Sequence, residues 1–322
     1  MRRLALLTLL LLPTALWAAL SAGSAKAEGQ SLRLLVGYAA GSTTDFAARL
    51  VAPPLEKALG HPVAVENVAG DNGFPSVIAI TRAAPDGSTL VVADTLTLSL
   101  NQVSGKRDID VTRLTPVAKI SLGVSVAMIA RKDSRIRDWA SYEAALAAGP
   151  VTVCVPGRMS AFGTARSLVE RATGTVMKHV KVDANSEALH CVADGRADVG
   201  LVATHSIDVF NGESGDVVRP VITFGAKRSP RFPGTPTLAE VTDDRRNDFT
   251  VAISVFGPPG MAADTVDRLS HAFEEAVQDP AAVQDAAAHS FPLHYGGPGE
   301  VTLTLERDMR VAKRIADWLD RP

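Results

Sequence analysis

A short segment at residues 37–45, with the sequence GYAAGSTTD, carries groups suited to binding an anion. It follows an apolar run and leads into a helix-like segment. Three hydroxyl side chains stand together at residues 42–44, and Ser42 and Asp45 have the spacing of a helix capping box. The first turn of a helix presents unpaired N–H groups and about half a positive charge, so an anion can bind there without a cationic side chain. An ordinary capped helix would show the same residues.

A second segment of the same kind occurs at residues 156–164, with the sequence PGRMSAFGT. It also leaves an apolar run and enters a helix-like segment, with Ser160 as candidate N-cap. Arg158 offers a planar set of donors to a carboxylate, although a solvated surface arginine is the simpler interpretation. Two equivalent loops, one from each half of the chain, predict that a ligand is captured between them.

Apolar runs and helix-like segments alternate around both loops. Strands are expected at residues 32–36, 63–66 and 90–93, with helices at 44–59 and 74–84 between them. The same order recurs with strands at residues 151–155, 179–182 and 199–203 and helices at 160–172 and 187–193. Repeats of this kind predict parallel sheets. Pro53 and Pro54 fall inside the first helix and are expected to kink or split it.

Two further β-rich segments, residues 117–131 and 249–256, are interpreted as crossings between two lobes. The C-terminal part is helical at residues 263–278, 281–288 and 298–318, and we expect it to pack on the first lobe. Two α/β lobes joined by two crossings leave a cleft between them. Ligands favour such clefts at the carboxyl ends of parallel strands.

Composition excludes several classes of protein. The chain has 322 residues, of which 46% are hydrophobic and 21% charged, so it can bury a core and is not intrinsically disordered. Its net charge of −2 and its 5% aromatic content do not indicate a nucleic-acid-binding protein. The glycine motifs of dinucleotide sites and P-loops are absent, as are common zinc motifs, and no cofactor or metal is expected.

The first 27 residues have the pattern of a secretory signal peptide. Arg2 and Arg3 precede an apolar run to Leu20, and small residues flank position 26, so cleavage is expected after Ala27. The apolar run is short and contains Pro13, which disfavours the alternative of a membrane anchor. The mature protein is therefore expected in the periplasm.

Two cysteines, Cys154 and Cys191, would reach this oxidising compartment. The first lies in a strand-like run and the second in a helix-like run. The sequence does not decide whether they meet, and we favour separate thiols over a disulfide.

Five segments occur in a characteristic order after the leader. They are residues 36–45 (VGYAAGSTTD), 65–73 (VENVAGDNG), 84–90 (APDGSTL), 233–240 (PGTPTLAE) and 258–261 (PPGM). Together they resemble the Bug-type solute-binding proteins of tripartite tricarboxylate transporters, over nearly the whole chain after the leader. The segment at residues 84–90 is the most specific of them, because it is close to the family's Ala-Pro-Asp-Gly-x-Thr-Leu.

The resemblance implies an α/β fold of the two-lobed type II periplasmic-binding-protein class, in which two Rossmann-like lobes joined by two crossing strands close like a Venus flytrap. Lobe 1 is then expected at residues 31–125 plus 253–322 and lobe 2 at 126–252. A small carboxylate would be held between the two loops by backbone N–H groups and water. The residues expected at the ligand are Tyr38, Gly41, Ser42, Thr43, Asp45, Thr95, Arg158, Ser160, Ala161, Thr164, Asp183 and Thr204.

The sequence departs from the family in the second lobe. Ser42 replaces the second glycine of the first loop, the second loop lacks the family's Ser/Thr-rich run, and residues 182–186 (VDANS) replace Val-Pro-Tyr-Lys-Gly. Asp183 in a cleft would repel a carboxylate or accept a hydroxyl or ammonium group, and it would serve equally in a surface turn. Ligand identity is therefore not transferred from relatives.

The resemblance implies a binding protein rather than an enzyme. The nucleophile motif G-x-S-x-G is absent, and the seven histidines are scattered. We expect a monomer that delivers a small carboxylate to integral-membrane transporter subunits. The alternative is a periplasmic sensor that binds the same ligand and signals to a two-component receptor kinase.

Overall fold

The computed structural model describes residues 31–105, 110–157, 160–247 and 249–319, and the architecture below refers to these residues. The expected signal peptide at residues 1–27 lies outside them. Within the described ranges, no helix combines the length and the apolar character needed to cross a membrane.

The described residues form two β-sheets. The strands in chain order are β1 Leu32–Val36, β2 Val63–Asn67, β3 Thr89–Asp94, β4 Thr115–Ser121, β5 Val126–Arg131, β6 Thr152–Pro156, β7 Lys178–Val182, β8 Val199–Ala203, β9 Val218–Thr223, β10 Ile253–Gly257 and β11 Leu293–Gly296. The first sheet has the order β11-β4-β10-β3-β1-β2, and the second has the order β7-β6-β8-β5-β9. In each sheet one strand, β1 or β6, lies between two parallel neighbours.

Helices connect and cover these strands, so the expected α/β class is confirmed. They are α1 Thr43–Leu59, α2 Phe74–Thr81, α3 Thr95–Val103, α4 Trp139–Ala148, α5 Ala161–Thr173, α6 Asn185–Ala193, α7 His205–Ser214, α8 Leu238–Thr242, α9 Ala263–Gln278, α10 Pro280–Ala288 and α11 Pro298–Leu319. The order β1-α1-β2-α2-β3 in the first sheet matches β6-α5-β7-α6-β8 in the second. The two candidate loops therefore occupy equivalent positions, each before the first helix of its unit.

The strand β1 shows why the first sheet forms. Four of its five residues are buried, as expected for a parallel strand that is covered on both faces. Its one exposed residue, Arg33, donates two hydrogen bonds to Glu66 of the neighbouring β2. Because β1 is held between β2 and β3, the loop that follows it starts from a fixed point at the sheet's edge.

The helix α1 corrects one expectation. It runs without division from Thr43 to Leu59, although Pro53 and Pro54 lie inside it. Each proline removes a backbone donor, but Val51 and Leu55 on the same helix are fully buried. The helix packs against the first sheet and α9. Burial of its apolar face offsets the lost hydrogen bonds, because most helical stability in proteins comes from tertiary packing.

The backbone passes between the sheets twice. It leaves the first sheet between β4 and β5 and returns between β9 and β10. Val124 in one passage and Val251 in the other form an isolated antiparallel bridge, with N–H to O distances of 2.6 and 2.9 Å in the two directions. Because β10 begins only at Ile253, the strand expected at residues 249–256 is shorter than predicted.

Cys154 and Cys191 form a disulfide, contrary to the favoured expectation of separate thiols. Cys154 lies on β6 and Cys191 on α6, and their Cα atoms are 6.4 Å apart. Both side chains are fully buried where α6 packs on the second sheet. The sequence pattern places each residue on its element, but only the packing of the helix on the sheet brings the two together.

The disulfide should stabilise the protein measurably. It closes a loop with a sequence separation of 37 residues, for which chain entropy predicts about 4 kcal/mol. We expect the double variant Cys154→Ala/Cys191→Ala to lose about 4 kcal/mol in free energy of unfolding, measured with urea. A thiol reductant should lower the stability of the wild type and leave that of the variant unchanged. Equal stability of the variant and the untreated wild type would contradict the assignment.

Candidate ligand-binding cleft

A cavity of about 530 Å³ lies between the two sheets. Its wall includes the loops that follow β1 and β6, the start of α6, and Val124 and Val251 of the two passages. This volume suits a small organic ligand. Among the described residues, no group of three or more His, Cys, Asp or Glu side chains is placed to hold a metal ion.

The helix α1 begins at the wall of this cavity. Its N-cap Ser42 accepts a hydrogen bond from the Asp45 N–H, at 3.2 Å. Thr43 and Thr44 also line the cavity, and their N–H groups belong to the first turn, which has no acceptor within the helix. The Thr43 hydroxyl is buried and has no partner among the described residues. These groups offer a ligand hydrogen bonds that the protein itself leaves unmade.

Asp45 holds this loop in place and is absent from the cavity wall. Its carboxylate accepts hydrogen bonds from Gly41 N–H at 2.9 Å, Asn67 Nδ2 at 2.8 Å and Arg49 Nε at 3.0 Å. Burial opposes ionisation, but the hydrogen bonds from Arg49, Asn67 and Gly41 prevail and hold the pKa of Asp45 below its ordinary value. Asp45 therefore positions the loop as an ionised carboxylate.

The backbone of the first loop explains the glycine at position 41, and its expected contact with the ligand stays a prediction. Its φ is +79°, and a side chain added there would meet nothing within 4 Å. It is exposed and lies outside the cavity wall. Glycine is favoured at this position because the backbone is left-handed, so a bulky substitution would strain the turn rather than obstruct the cavity.

The second loop leads into α5 in the same way. Ser160 lines the cavity and accepts a hydrogen bond from the Gly163 N–H at 3.0 Å, while its hydroxyl donates to the Pro156 carbonyl at 2.6 Å. Arg158 lies outside the described residues, so its contact with a carboxylate stays a prediction.

Ala161 and Thr164 follow in the first turns of α5, and both lie outside the cavity wall. The Ala161 N–H donates to the Thr97 hydroxyl of α3 at 3.1 Å, which links the two sides of the cleft directly. The Thr164 hydroxyl is buried with no partner among the described residues. Ala161 is thus a contact between the two sides, and Thr164 lies behind the wall.

A third helix, α6, also begins at the cavity. Its N-cap residue, Ala184, makes no capping hydrogen bond with its side chain. At the first position of the helix, the Asn185 side chain accepts a hydrogen bond from the Ala203 N–H at 2.7 Å and donates one to the Ser206 hydroxyl at 2.8 Å. Asp183 lines the cavity, but 85% of its side chain is exposed, and its carboxylate lies 3.8 Å from Lys181 Nζ. Asp183 therefore lies at the rim.

A buried carboxyl, Asp94, lies in the wall formed by the first sheet. It is the last residue of β3 and caps α3, with Oδ1 accepting the N–H groups of Leu96 and Thr97 at 3.0 and 3.1 Å. Its Oδ2 accepts the Thr97 hydroxyl at 2.7 Å. Burial raises the pKa of Asp94 to about 6, against the opposing effect of these hydrogen bonds. Burial and then the charge of Asp94 raise the pKa of Tyr38, which lines the same cavity.

Two other expected contacts support the passages between the sheets. Thr95 is fully buried, and its hydroxyl donates to the Ala252 carbonyl at 3.2 Å. The Thr204 hydroxyl donates to the Ser125 carbonyl at 3.1 Å. Neither threonine lines the cavity. The chain turns into a helix directly after Asp94, which brings Thr97 to the wall in place of Thr95.

His205 also lies away from the cavity wall. Its ring packs against Phe46 and Phe291, with centroids 5.8 and 5.7 Å away. Burial lowers the pKa of His205 to about 4, and nearby His289 adds to the effect. The ring is therefore neutral at neutral pH and forms part of an aromatic cluster.

Asp94, Thr97 and Asn185 line the cavity but are not among the residues expected at the ligand. One local signal was available for the first two, because Asp followed three residues later by Thr is a pattern of a capped helix start. This signal indicates a cap only where a helix follows, and the alternating pattern of residues 95–103 is typical of a strand. Nothing local indicates that Asn185 binds the end of β8.

One family matches most of the chain: the tripartite tricarboxylate transporter family receptor matches residues 47–310. The chain belongs to this family. The resemblance seen in the sequence is thereby confirmed. A curated Cupriavidus necator protein, described as the UPF0065 protein in the gbd 5′ region, is 31% identical over 254 residues, which are 77% of this receptor and 75% of that protein.

Solved structures show the same fold. MatC from Rhodopseudomonas palustris with bound malate superposes with a TM-score of 0.80 at 21% identity, covering 88% of this receptor and 98% of that chain. Rpa4515 from R. palustris with adipate has a TM-score of 0.80 at 20% identity, covering 89% and 96% respectively. The receptor therefore has the architecture of periplasmic binding proteins.

The Asp45 hydrogen bonds should make loop stability depend on pH. Because the pKa of Asp45 is lowered on folding, its stabilisation is present above the unfolded value of about 3.9 and is lost as the pH falls through the folded value. We expect Asp45→Asn to reduce the free energy of unfolding by about 2 kcal/mol at neutral pH. The difference from the wild type should shrink below about pH 4. Urea unfolding across pH measures this, and a difference independent of pH would contradict it.

Proposed function

We propose that the chain is an extracytoplasmic solute-binding receptor that captures a small carboxylate in the cleft and delivers it to membrane subunits of a tripartite tricarboxylate transporter. The observation that carries this proposal is that Thr43 lines the cavity and that its buried hydroxyl has no partner among the described residues. It lies at the start of α1, where N–H groups favour an anion. Malate and adipate, bound by two structural neighbours, are both dicarboxylates and support this ligand class.

Binding would proceed by closure rather than turnover. Residues 31–125 plus 253–322 would move as one lobe and residues 126–252 as the other, about the two passages between the sheets. The starts of α1, α5 and α6 would then surround the ligand. The bridge between Val124 and Val251 supports this assignment, because it ties the passages together at the cavity and leaves few residues to act as hinges.

The ligand class is tested by thermal shifts of the protein purified from the periplasmic fraction. The panel contains mono-, di- and tricarboxylates, aromatic acids, amino acids and the corresponding amides. A ligand at about 100 times its Kd adds about 2.7 kcal/mol to stability, which gives a visible rise in Tm. We expect a rise with one class of carboxylate and none with its amides. No rise with any acid would contradict the proposal.

The Thr43 hydroxyl should contribute to affinity and not to stability. We expect Thr43→Val to weaken carboxylate binding about tenfold, because one hydrogen bond of about 1.4 kcal/mol is lost. The free energy of unfolding should stay equal or rise, since the hydroxyl has no partner among the described residues. Titration calorimetry and urea unfolding measure the two quantities.

Thr164→Val is the matched control for this variant. Its hydroxyl is also buried and unpartnered among the described residues, but it lies outside the cavity wall. Affinity should be unchanged in Thr164→Val. Equal losses of affinity in both variants would indicate a general packing effect and contradict direct contact at Thr43.

Location and partner need separate tests. The mature protein should appear in the periplasmic fraction with Glu28 as its first residue. Deletion of the gene should abolish uptake of the radiolabelled ligand, and restoring the protein should recover it. Uptake that persists, together with loss of a transcriptional response to the ligand, would favour the sensor over the transport receptor.

A further inference from the structure

The carboxyl of Asp94 is unusual for a cavity that binds anions. It is 7% exposed and lines the same cavity as the start of α1. Among the described residues, it forms hydrogen bonds to backbone amides and to Thr97, and no cation contributes to its ionisation. A buried carboxylate without a cation is costly, so its position at a binding cavity calls for a partner.

The hydrogen bonds leave Asp94 with spare capacity as an acceptor. A carboxylate offers about four lone-pair positions. Two donors occupy Oδ1, and the Thr97 hydroxyl alone occupies Oδ2. Among the described residues, one lone pair on Oδ2 therefore has no donor.

The charges around the cavity agree with this need for a donor. The charged side chains in its described wall are Asp71, Asp94, Lys181 and Asp183. Lys181 lies 3.8 Å from Asp183 at the rim, so among these groups Asp94 is the buried carboxyl that a ligand in the cavity would meet. A ligand that also carries a hydroxyl or ammonium group would satisfy Asp94 as well.

We propose that Asp94 is a specificity-determining residue that selects carboxylates bearing a hydroxyl or ammonium group over their unsubstituted counterparts. The carboxylate of the ligand binds at the start of α1, and its donor group binds Asp94 Oδ2. This inference rests on the proposed function, because it assigns the second half of the ligand in the same cavity.

The carboxylate of Asp94 is also connected to the closure of the cleft. Thr97 donates to Asp94 and accepts the Ala161 N–H of α5, so one hydroxyl joins Asp94 to the opposite side of the cleft. A donor bound at Oδ2 reinforces the ionised form of Asp94. Ionised Asp94 in turn fixes the Thr97 hydroxyl in the orientation that leaves its lone pair facing Ala161.

The test compares wild type and Asp94→Asn by titration calorimetry. The probes are succinate, malate and aspartate, with adipate and 2-aminoadipate as a longer pair. The wild type should prefer the substituted acid in at least one set by about tenfold, the effect of one hydrogen bond to a charged group. Asp94→Asn should reduce that preference to less than about threefold. Asparagine caps helices as well as aspartate does, so the variant should fold.

Asp138→Asn is the matched control. Asp138 caps α4 through the Ser141 N–H at 2.8 Å and lies outside the cavity wall. The preference should be unchanged in this variant. A preference that survives Asp94→Asn, or wild-type binding of the unsubstituted and substituted acids with equal affinity, would overturn the role of Asp94 and leave the proposed function standing. If the wild type binds none of the five acids, the role assigned to Asp94 is overturned, and the proposed function is overturned only if no acid of the wider thermal-shift panel binds.

The pH dependence of affinity gives a second readout. The titratable groups near Asp94 are Tyr38 in the loop after β1 and Asp308 on α11, whose pKa burial raises to about 7. As the pH falls from about 8 to about 6, Asp94 begins to bind a proton. Affinity for aspartate should fall in the wild type, and this dependence should be smaller in Asp94→Asn. The same dependence in both proteins would assign it to another group and contradict the proposal.

Discussion

The structure depends on one constraint. The starts of several helices surround one cavity, and their unpaired N–H groups must not lose their availability to contacts with one another. Each helix start carries N–H groups with no acceptor in its own first turn. In each sheet, parallel strands bring the following loops to the same edge, so the starts of α1 and α5 come from equivalent edges. The cavity remains lined with unmet donors because these edges belong to different sheets.

Local capping makes this arrangement possible. Ser42 and Ser160 each satisfy one amide of their own helix and fix the direction in which it starts. Asp45 then ties the first loop to Asn67 of β2 and to Arg49 of α1. The loop therefore keeps its shape through bonds made outside the cavity wall, and the groups inside remain available to a ligand.

The same distinction between local and distant contacts explains what the sequence could predict. Strand β1 and helix α9 have the predicted bounds because β1 is apolar except for Arg33 and the apolar residues of α9 recur at helical spacing. The positions of Ser42, Thr43 and Ser160 at the cavity wall could be predicted, because a cap and the first turn of its helix follow from a few adjacent residues. Thr95 lies elsewhere because its direction depends on the start of α3, a helix whose apolar pattern resembles that of the strand before it. The pairing of Cys154 with Cys191 depends on how α6 packs on β6, which no local pattern shows.

A cleft built from helix starts separates the strength of anion binding from the choice of anion. Backbone N–H groups attract any small carboxylate, and the fold supplies them whatever the side chains are. Discrimination between carboxylates must then come from the few side chains in the wall that do not favour every anion equally. Asp94 has the strongest effect of this kind, because its buried carboxyl lies where the surrounding backbone favours negative ligands. A receptor of this architecture can thus change its ligand through one wall residue, while the sheets, caps and passages stay as they are.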